Sequence, residues 1–201
     1  FMSMLCISLL NEVVNEKEFI KPGEILDHVR TGIIRNLKQK GEAGEQKDGM
    51  DAALCVWNNR ANTLEYAGAY NSLYLIRKNT GQLIENSQHI EPAFQNNSTY
   101  FYEIKADIQT VGIGEKEEKP FTNHHIKLFK DDTIFIFSDG FADQFGGKQD
   151  RKFTRKKFRQ LLLDIQHLSM KNQRQTLDKT LNDWIGDRVQ LDDILVMGVK
   201  F

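Results

Sequence analysis

The chain has 201 residues, of which 40% are hydrophobic and 27% are charged, and this balance is typical of one globular domain with a substantial core. Lys and Arg total 27 against 28 Asp and Glu, so the net charge of -1 gives no electrostatic reason to expect a nucleic-acid partner. No apolar run approaches the roughly 20 residues of a membrane span, so direct membrane insertion is not expected. Cys6 and Cys55 lie in apolar patterns, which indicates a reduced, cytoplasmic protein without disulfides.

Two helices are predicted at the start of the chain. Apolar residues recur at helical spacing from Met2 to Val14, and Pro22 opens a second helix whose apolar face ends at Leu37. No capping residue precedes Phe1, so the chain is expected to begin inside a larger domain. The polar stretch 41–49 is predicted to be a loop.

From Met50 the pattern changes to short strands that are separated by turn residues. Six strands are predicted, over residues 53–57, 63–69, 73–77, 82–85, 99–105 and 126–129. Successive short strands joined by tight turns are typical of an antiparallel sheet.

An apolar run then leads directly into an acidic turn. Ile134 to Phe137 predict a buried strand, and Asp139 follows it, next to Gly140. A carboxylate at the end of a rigid strand is suited to bind a hard cation. Asp-Gly is also a common turn dipeptide, and this segment taken alone slightly favours the turn.

Two more helices and a last strand complete the predicted fold. The helices carry apolar faces that begin at Phe158 and at Leu177, and residues 194–199 form an apolar strand that follows Asp192 and Asp193. Helices, a meander, helices and a strand predict an α+β fold, an antiparallel β-sandwich flanked by pairs of helices.

A basic stripe is predicted on the first of these later helices. Lys152, Arg155, Lys156 and Arg159 follow helical steps opposite the apolar face. A solvated helix face is the favoured interpretation, and docking of an acidic partner or sensor segment is the minority one.

The acidic ends of the two apolar strands form the candidate site. If the strands are antiparallel neighbours, Asp139 and the pair Asp192-Asp193 meet at one edge of the sheet. Converging carboxylates repel one another unless a cation neutralises them, and oxygen ligands favour Mg²⁺ or Mn²⁺. Two such ions can clamp a phosphoryl group and activate a water.

Three motifs carry a family resemblance. Phe137-Ser138-Asp139-Gly140, residues 143–147 (DQFGG) and residues 190–196 (QLDDILV) resemble the downstream motifs of SpoIIE-type phosphatases. These enzymes belong to the metal-dependent PPM (type-2C-like) serine/threonine phosphatase superfamily. The similarity extends through residues 48–54 and 64–69 and covers essentially the whole chain.

The resemblance implies a fold, a reaction and a site. The implied fold has α-β-β-α layers, and the implied reaction is hydrolysis of phosphoserine or phosphothreonine by a metal-activated water in bacterial signalling. By resemblance, Asp139 and Asp192 are catalytic and bind Mn²⁺ or Mg²⁺, and Asp193 belongs to the same metal-binding motif. No other cofactor is implied.

The chain also departs from the family pattern. Family members carry an upstream acidic motif and an Asp-x-x-Gly-His-Gly segment, and neither occurs here. Residues 1–201 are therefore interpreted as the C-terminal majority of one N-terminally truncated phosphatase domain. A two-metal site is expected only with the missing upstream segment, and weak or no activity is expected without it. The alternative is a non-catalytic interaction module of the same fold, either truncated or degenerate.

The resemblance also implies partners. The expected substrate is a phosphorylated regulatory protein, such as an anti-sigma-factor antagonist. An upstream sensor domain is expected in the whole protein, and through such a domain the whole protein could be tethered to a membrane. The resemblance leaves open whether the protein forms a homodimer.

Overall fold

The computed structural model describes residues 1–16, 20–40, 47–78, 83–85, 88–96, 98–114 and 119–201, with the backbone alone at 83–85, 88 and 89. The α-helices within these residues are α1 (Met2–Asn11), α2 (Pro22–Leu37), α3 (Gly140–Asp143), α4 (Arg155–Asp164) and α5 (Met170–Ile185). The strands are β1 (Gly49–Met50), β2 (Ala52–Asn58), β3 (Thr63–Ala69), β4 (Leu73–Lys78), β5 (Leu83–Glu85), β6 (Gln88–Ile90), β7 (Phe94–Asn96), β8 (Thr99–Ile104), β9 (Val111–Gly112), β10 (His124–Lys127), β11 (Thr133–Phe137), β12 (Phe145–Gly146), β13 (Arg151–Lys152) and β14 (Val196–Lys200).

The chain divides into two compact units. Unit 1 comprises Phe1–Leu73, Leu83–Ile90 and Ile104–Phe129, and unit 2 comprises Tyr74–Gln82, Glu91–Glu103 and Lys130–Phe201. The interpretation of residues 1–201 as one domain stays a prediction.

Unit 1 combines α1 and α2 with a five-stranded sheet of order β2-β3-β10-β5-β6. The paired strands run antiparallel, as the turn pattern predicts. The two helices approach closely at Gly32, where a Cβ atom would lie 2.6 Å from Cδ2 of Leu9. Their inner faces share a core with Ala67 and Val111, and this core is the reason for the apolar periodicity of the first 37 residues.

The helix predictions for unit 1 are confirmed, and Pro22 is the first residue of α2. The strand predicted over 126–129 instead begins at His124 and ends at Lys127, because its ladder to β3 starts where His124 faces Tyr66. Of the predicted loop 41–49, residues 41–46 lie outside the described residues. Its last residue, Gly49, begins β1, which pairs with β9.

Unit 2 is built on a sheet of order β14-β11-β4-β8-β7. Strand β11 lies between β14 and β4 and is antiparallel to both. Its end is fixed by aromatic packing, since the ring of Phe137 lies 4.5 Å from that of Tyr74 and 5.2 Å from that of Phe158 on α4. The predicted helices are both present, as α4 and α5, and Ser169 caps α5 by accepting a hydrogen bond from the Asn172 amide.

A buried ion pair lies at the beginning of β11. The guanidinium of Arg77 donates from Nε to Oδ1 of Asp132 at 2.8 Å and from Nη2 to Oδ2 at 2.6 Å. Both side chains are almost fully buried, at 1% and 0% exposure.

The hydroxyl group of Tyr102 is also buried. Among the described residues it has no hydrogen-bond partner. Burial raises the pKa of this hydroxyl group.

The predicted α+β class is confirmed, with antiparallel sheets and helices in both units. In the described part of the chain no helix combines the length and the apolar character that a membrane crossing requires.

Both cysteines are expected to react slowly in the native protein. Burial raises the pKa of the Cys55 thiol to about 12 and also raises the pKa of Cys6. Because the thiolate is the nucleophile and only a small fraction of Cys55 is ionised, native Cys55 at about pH 8 should react with iodoacetamide at least about tenfold more slowly than free cysteine. Labelling followed by mass spectrometry measures this rate, and the unfolded chain in urea is the control. Equal labelling in both states would contradict the burial of the thiol.

Candidate active site

The two acidic motifs meet at one end of the antiparallel pair β11 and β14. The register pairs Thr133 with Lys200 and Phe137 with Val196. The residues that follow Phe137 and those that precede Val196 therefore share one edge of the sheet. The condition on which the candidate site depends, that the two strands are antiparallel neighbours, is therefore met.

The side chain of Ser138 joins the two motifs. Its backbone amide donates to the carbonyl of Leu195 at 3.0 Å, which extends the ladder by one residue. Its hydroxyl donates to the carbonyl of Asp193 at 2.7 Å and accepts from the amide of Leu195 at 2.9 Å. One hydroxyl thus holds the Asp192-Asp193 segment beside Asp139. Sequence reasoning missed this role, although the position of a hydroxyl between an apolar strand and an acid was a usable signal.

Gly140 allows the close approach of the two segments. A Cβ atom at this position would lie 2.5 Å from the carbonyl oxygen of Asp193, which is far inside van der Waals contact. The turn expected at Asp139-Gly140 is in fact the start of α3. Asp139 occupies the N-cap position without a capping bond from its side chain. Its exposed carboxylate is therefore not used to stabilise the helix.

Gln144 holds the segment before Asp192. Its buried side chain donates from Nε2 to the carbonyl of Val189 at 3.1 Å and accepts from the amide of Leu191 at 3.2 Å. The Asp192 carboxylate accepts from the amide of Asp193 at 2.7 Å. Gln144, which sequence reasoning also missed, belongs to the quoted family motif, but nothing in the sequence shows where its side chain points.

The second half of that motif serves the packing of α5. Gly147 has a φ of +66°, and its amide donates to the carbonyl of Trp184 at 2.8 Å. A Cβ atom on Gly147 would lie 2.8 Å from the indole ring, and one on Gly146 would overlap the Trp184 backbone. The indole Nε1 donates to the carbonyl of Gln144 at 3.1 Å. These glycines are required by the contact with α5.

The side chains at this edge of the sheet offer the type of ligand atom, carboxylate oxygen, that a hard divalent cation prefers. Asp139, Asp192 and Asp193 are exposed carboxylates, and Mg²⁺ and Mn²⁺ prefer oxygen ligands. In number they are incomplete, because within the described ranges no three His, Cys, Asp or Glu side chains are grouped so as to hold a metal ion. The structure brings the two motifs together, and the metal-binding roles of the three residues stay predictions.

Two other acids of unit 2 form ion pairs with lysine: Asp143, which ends α3, and Asp131, which precedes the opposite end of β11. Asp143 forms an ion pair with Lys152 at 2.9 Å, and Asp131 forms one with Lys200 at 3.0 Å. The hydrogen bond from Lys200 lowers the pKa of Asp131. Both acids are thereby assigned to structural contacts.

Comparisons with known proteins agree on the fold. The family model described as Stage II sporulation protein E (SpoIIE) matches residues 1–201. The SiaA-PP2C domain of Pseudomonas aeruginosa is similar with a TM-score of 0.77 and 24% identity, over 100% of this chain and 69% of that chain. A crystal structure of RsbX in complex with magnesium has a TM-score of 0.56 and 12% identity, over 98% of this chain and 73% of that one.

A third solved structure, the phosphatase domain of the cell fate determinant SpoIIE from Bacillus subtilis (Mn presoaked), has a TM-score of 0.51 and 11% identity. The match covers 97% of this chain and 72% of that one. A search of the curated proteins finds no match. The fold is therefore that of PP2C-type phosphatase domains.

Proposed function

Because this chain belongs to the SpoIIE family, we propose that it is the phosphatase domain of a bacterial signalling protein and hydrolyses phosphoserine or phosphothreonine on a regulatory protein. The observation that carries the proposal is the Ser138 hydroxyl, which joins the Asp139 segment to the Asp192-Asp193 segment at one sheet edge. Such an edge collects carboxylates on a rigid element, as a metal-assisted hydrolase requires.

Each residue of the edge has a defined task in this proposal. Asp139 and Asp192 hold a divalent cation, Mn²⁺ or Mg²⁺, and Asp193 lies in the same motif. When bound, the metal supplies a water that is activated for attack on phosphorus. Ser138 and Gly140 keep the two carboxylate segments at a fixed separation, so that little reorganisation is needed when substrate binds.

The remaining ligands and partners are part of the same proposal. A complete metal site needs further ligands, which in family members come from an acidic motif and a Gly-His-Gly segment that do not occur in residues 1–201. The substrate is a phosphorylated regulator of the anti-sigma-factor antagonist type. A sensor domain controls the activity in a cytoplasmic or membrane-tethered parent, and a homodimer is compatible with this arrangement.

The test is metal-dependent phosphate release from a phosphoserine peptide by the full-length protein. Release should require Mn²⁺ or Mg²⁺, and Asp139→Ala should lower kcat/KM by more than about 100-fold because a ligand is lost. Asp183→Ala, which removes an exposed acid of α5, is the matched control and should leave kcat/KM unchanged. Undiminished turnover after chelation would rule out the metal mechanism. The 201-residue chain alone should turn over weakly or not at all.

A second candidate is a non-catalytic interaction module of the same fold. The incomplete set of donors in the described part of the chain is the observation that favours it. Full-length protein that binds a phosphorylated regulator but releases no phosphate with either metal would support this candidate over the phosphatase.

A further inference from the structure

A dense cluster of positive charge lies in residues 148–159. Seven of these twelve residues are Lys or Arg and only Asp150 is acidic, although the whole chain has a net charge of -1. We call the six exposed members the basic surface, and they are Lys148, Arg151, Lys152, Arg155, Lys156 and Lys157.

Contacts within unit 2 account for only part of this charge. Lys152 pairs with Asp143, and the ammonium of Lys157 lies 4.1 Å from the ring centroid of Trp184. Arg159, which is not part of the basic surface, is half-buried and bonds Glu103 at 2.9 Å. The predicted solvated stripe is therefore solvated only in part. Among the described residues no carboxylate forms an ion pair with the other four members of the basic surface.

The stability of α4 does not explain the remaining cations. Arg155, Lys156 and Lys157 occupy its first turn, which contains no acidic residue. Basic side chains at this end oppose the helix dipole and repel one another. A sequence selected only for a stable helix would place acids there.

A groove of about 420 Å³ opens beside the basic surface. Its lining includes Lys156 and Gln160 of α4 and Gln95 and Asn96 of β7. A cation and three amide side chains provide hydrogen-bond donors for carboxylate groups. The groove therefore adds donors beside the positive surface, although Phe94 and Leu163 also line it and Gln160 already donates to Asp164 at 2.8 Å.

The basic surface is also tied to the candidate active site. The amide of Phe153 donates to the carbonyl of Gln144 at 2.9 Å, and that of Thr154 donates to the carbonyl of Ala142 at 2.7 Å. Ala142 belongs to α3, the helix that begins directly after Asp139. The start of α4 is therefore joined by two backbone hydrogen bonds to the segment that follows Asp139.

We infer that the basic surface docks an acidic face of the protein whose phosphorylated residue this domain hydrolyses. The inference rests on the proposed function, and it names the substrate class as phosphoproteins with carboxylate side chains around the phosphorylated residue. Complementary charge of this kind accelerates encounter and selects the partner.

The surroundings favour an acidic protein over nucleic acid or a lipid surface. The two aromatic residues of the segment, Phe153 and Phe158, are buried, and the exposed ring of Phe145, which faces Lys152 across the β12–β13 pair, offers a stacking surface for a single base and not for a run of bases. The segment itself has no exposed large apolar side chain to enter a bilayer. Binding of an acidic protein face requires only positively charged side chains, which the basic surface provides.

The experiment measures binding, which does not depend on turnover. A fluorescein-labelled phosphoserine peptide flanked by glutamates is titrated with the 201-residue chain, and the same peptide flanked by glutamines is the reference. We expect the glutamate peptide to bind at least about tenfold more tightly at about 50 mM salt, with a smaller ratio at about 300 mM. Arg155→Glu with Lys156→Glu should abolish this preference. Lys171→Glu with Lys179→Glu, exposed on α5, changes the net charge equally and should retain it.

Three results would overturn the inference: equal binding of the two peptides, an unchanged preference in the Arg155→Glu/Lys156→Glu variant, or tighter binding of phosphatidylserine vesicles or poly(U) than of the glutamate peptide. If this variant does not fold by circular dichroism, Lys148→Gln with Arg151→Gln, outside α4, replaces it and should weaken the preference. Retained preference in full-length protein that releases no phosphate contradicts the phosphatase proposal alone. Turnover without the preference contradicts the docking surface alone.

Discussion

Replacement of Arg77 by methionine is expected to destabilise the protein by about 3–5 kcal/mol, because the buried carboxylate of Asp132 would lose the positive charge and the two hydrogen bonds of the guanidinium. The side chain of Asp132 is 0% exposed and accepts two hydrogen bonds from the Arg77 guanidinium, at 2.8 and 2.6 Å. Water cannot replace those bonds at a site with no solvent access. Urea denaturation followed by circular dichroism measures the free energy of unfolding.

Two controls distinguish the effect of a buried charge that has lost its counter-ion from the effect of losing an exposed ion pair. The double variant Arg77→Met/Asp132→Leu removes both charges and should recover most of the lost stability. Lys152→Met breaks the pair with Asp143, whose side chains are 49% and 47% exposed, and should cost less than about 1 kcal/mol. An Arg77→Met variant as stable as Lys152→Met would show that Asp132 is not trapped as a buried anion.

The second large effect is expected at Gly140. In Gly140→Ala the new methyl group would meet the carbonyl of Asp193 at 2.5 Å, so the Asp192-Asp193 segment must move away from Asp139. We expect a loss of about 10- to 100-fold in Mn²⁺ affinity and in kcat/KM of the full-length protein, the range typical when groups that support metal ligands are displaced. Calorimetric titration with Mn²⁺ and phosphate release measure the two quantities.

A matched pair of serine variants distinguishes displacement of the site from general destabilisation. Ser138→Ala removes the hydroxyl that bridges Asp193 and Leu195, and Ser169→Ala removes the cap of α5. Both lose hydrogen bonds and should lower stability by roughly 1 kcal/mol. Only Ser138→Ala should also weaken Mn²⁺ binding. Equal metal affinity in Gly140→Ala, Ser138→Ala and the parent would exclude a positioning role for this contact.

The strength of the periodic signal explains how much of the fold could be predicted. Helices α1, α2, α4 and α5 present apolar faces to a core, and the apolar run of β11 lies between two strands. The spacing of apolar residues in each of these segments therefore predicts both the type of element and its buried face. The two-residue strand β1 is too short to show a period. It exists because Gly49 and Met50 pair with Val111 and Gly112 far along the chain.

The candidate site was predictable in its residue types and not in its supporting contacts. Two apolar strands with acids at their ends predicted that Asp139 and Asp192 share an edge on the condition that the strands are antiparallel neighbours, and the structure shows that they are. The bonds of Ser138 and Gln144 depend on side-chain directions at positions outside any period. The helix that follows Asp139 was not predicted for the same reason, since a four-residue helix leaves no periodic trace and the segment taken alone slightly favoured a turn.

The contact at Ser138 determines when the candidate site can form during folding. The hairpin of β2 and β3 involves only residues that are close in sequence. In the turn between the two strands, the side-chain oxygen of Asn58 accepts hydrogen bonds from the backbone amides of Arg60 and Ala61. The bond from Leu195 to Ser138 joins residues 57 positions apart, so it requires the closure of a long loop. A chain that has formed only its local hairpins therefore has no carboxylate edge. An incompletely folded or nascent chain therefore lacks the candidate site, which forms only with the long-range contacts of the native state.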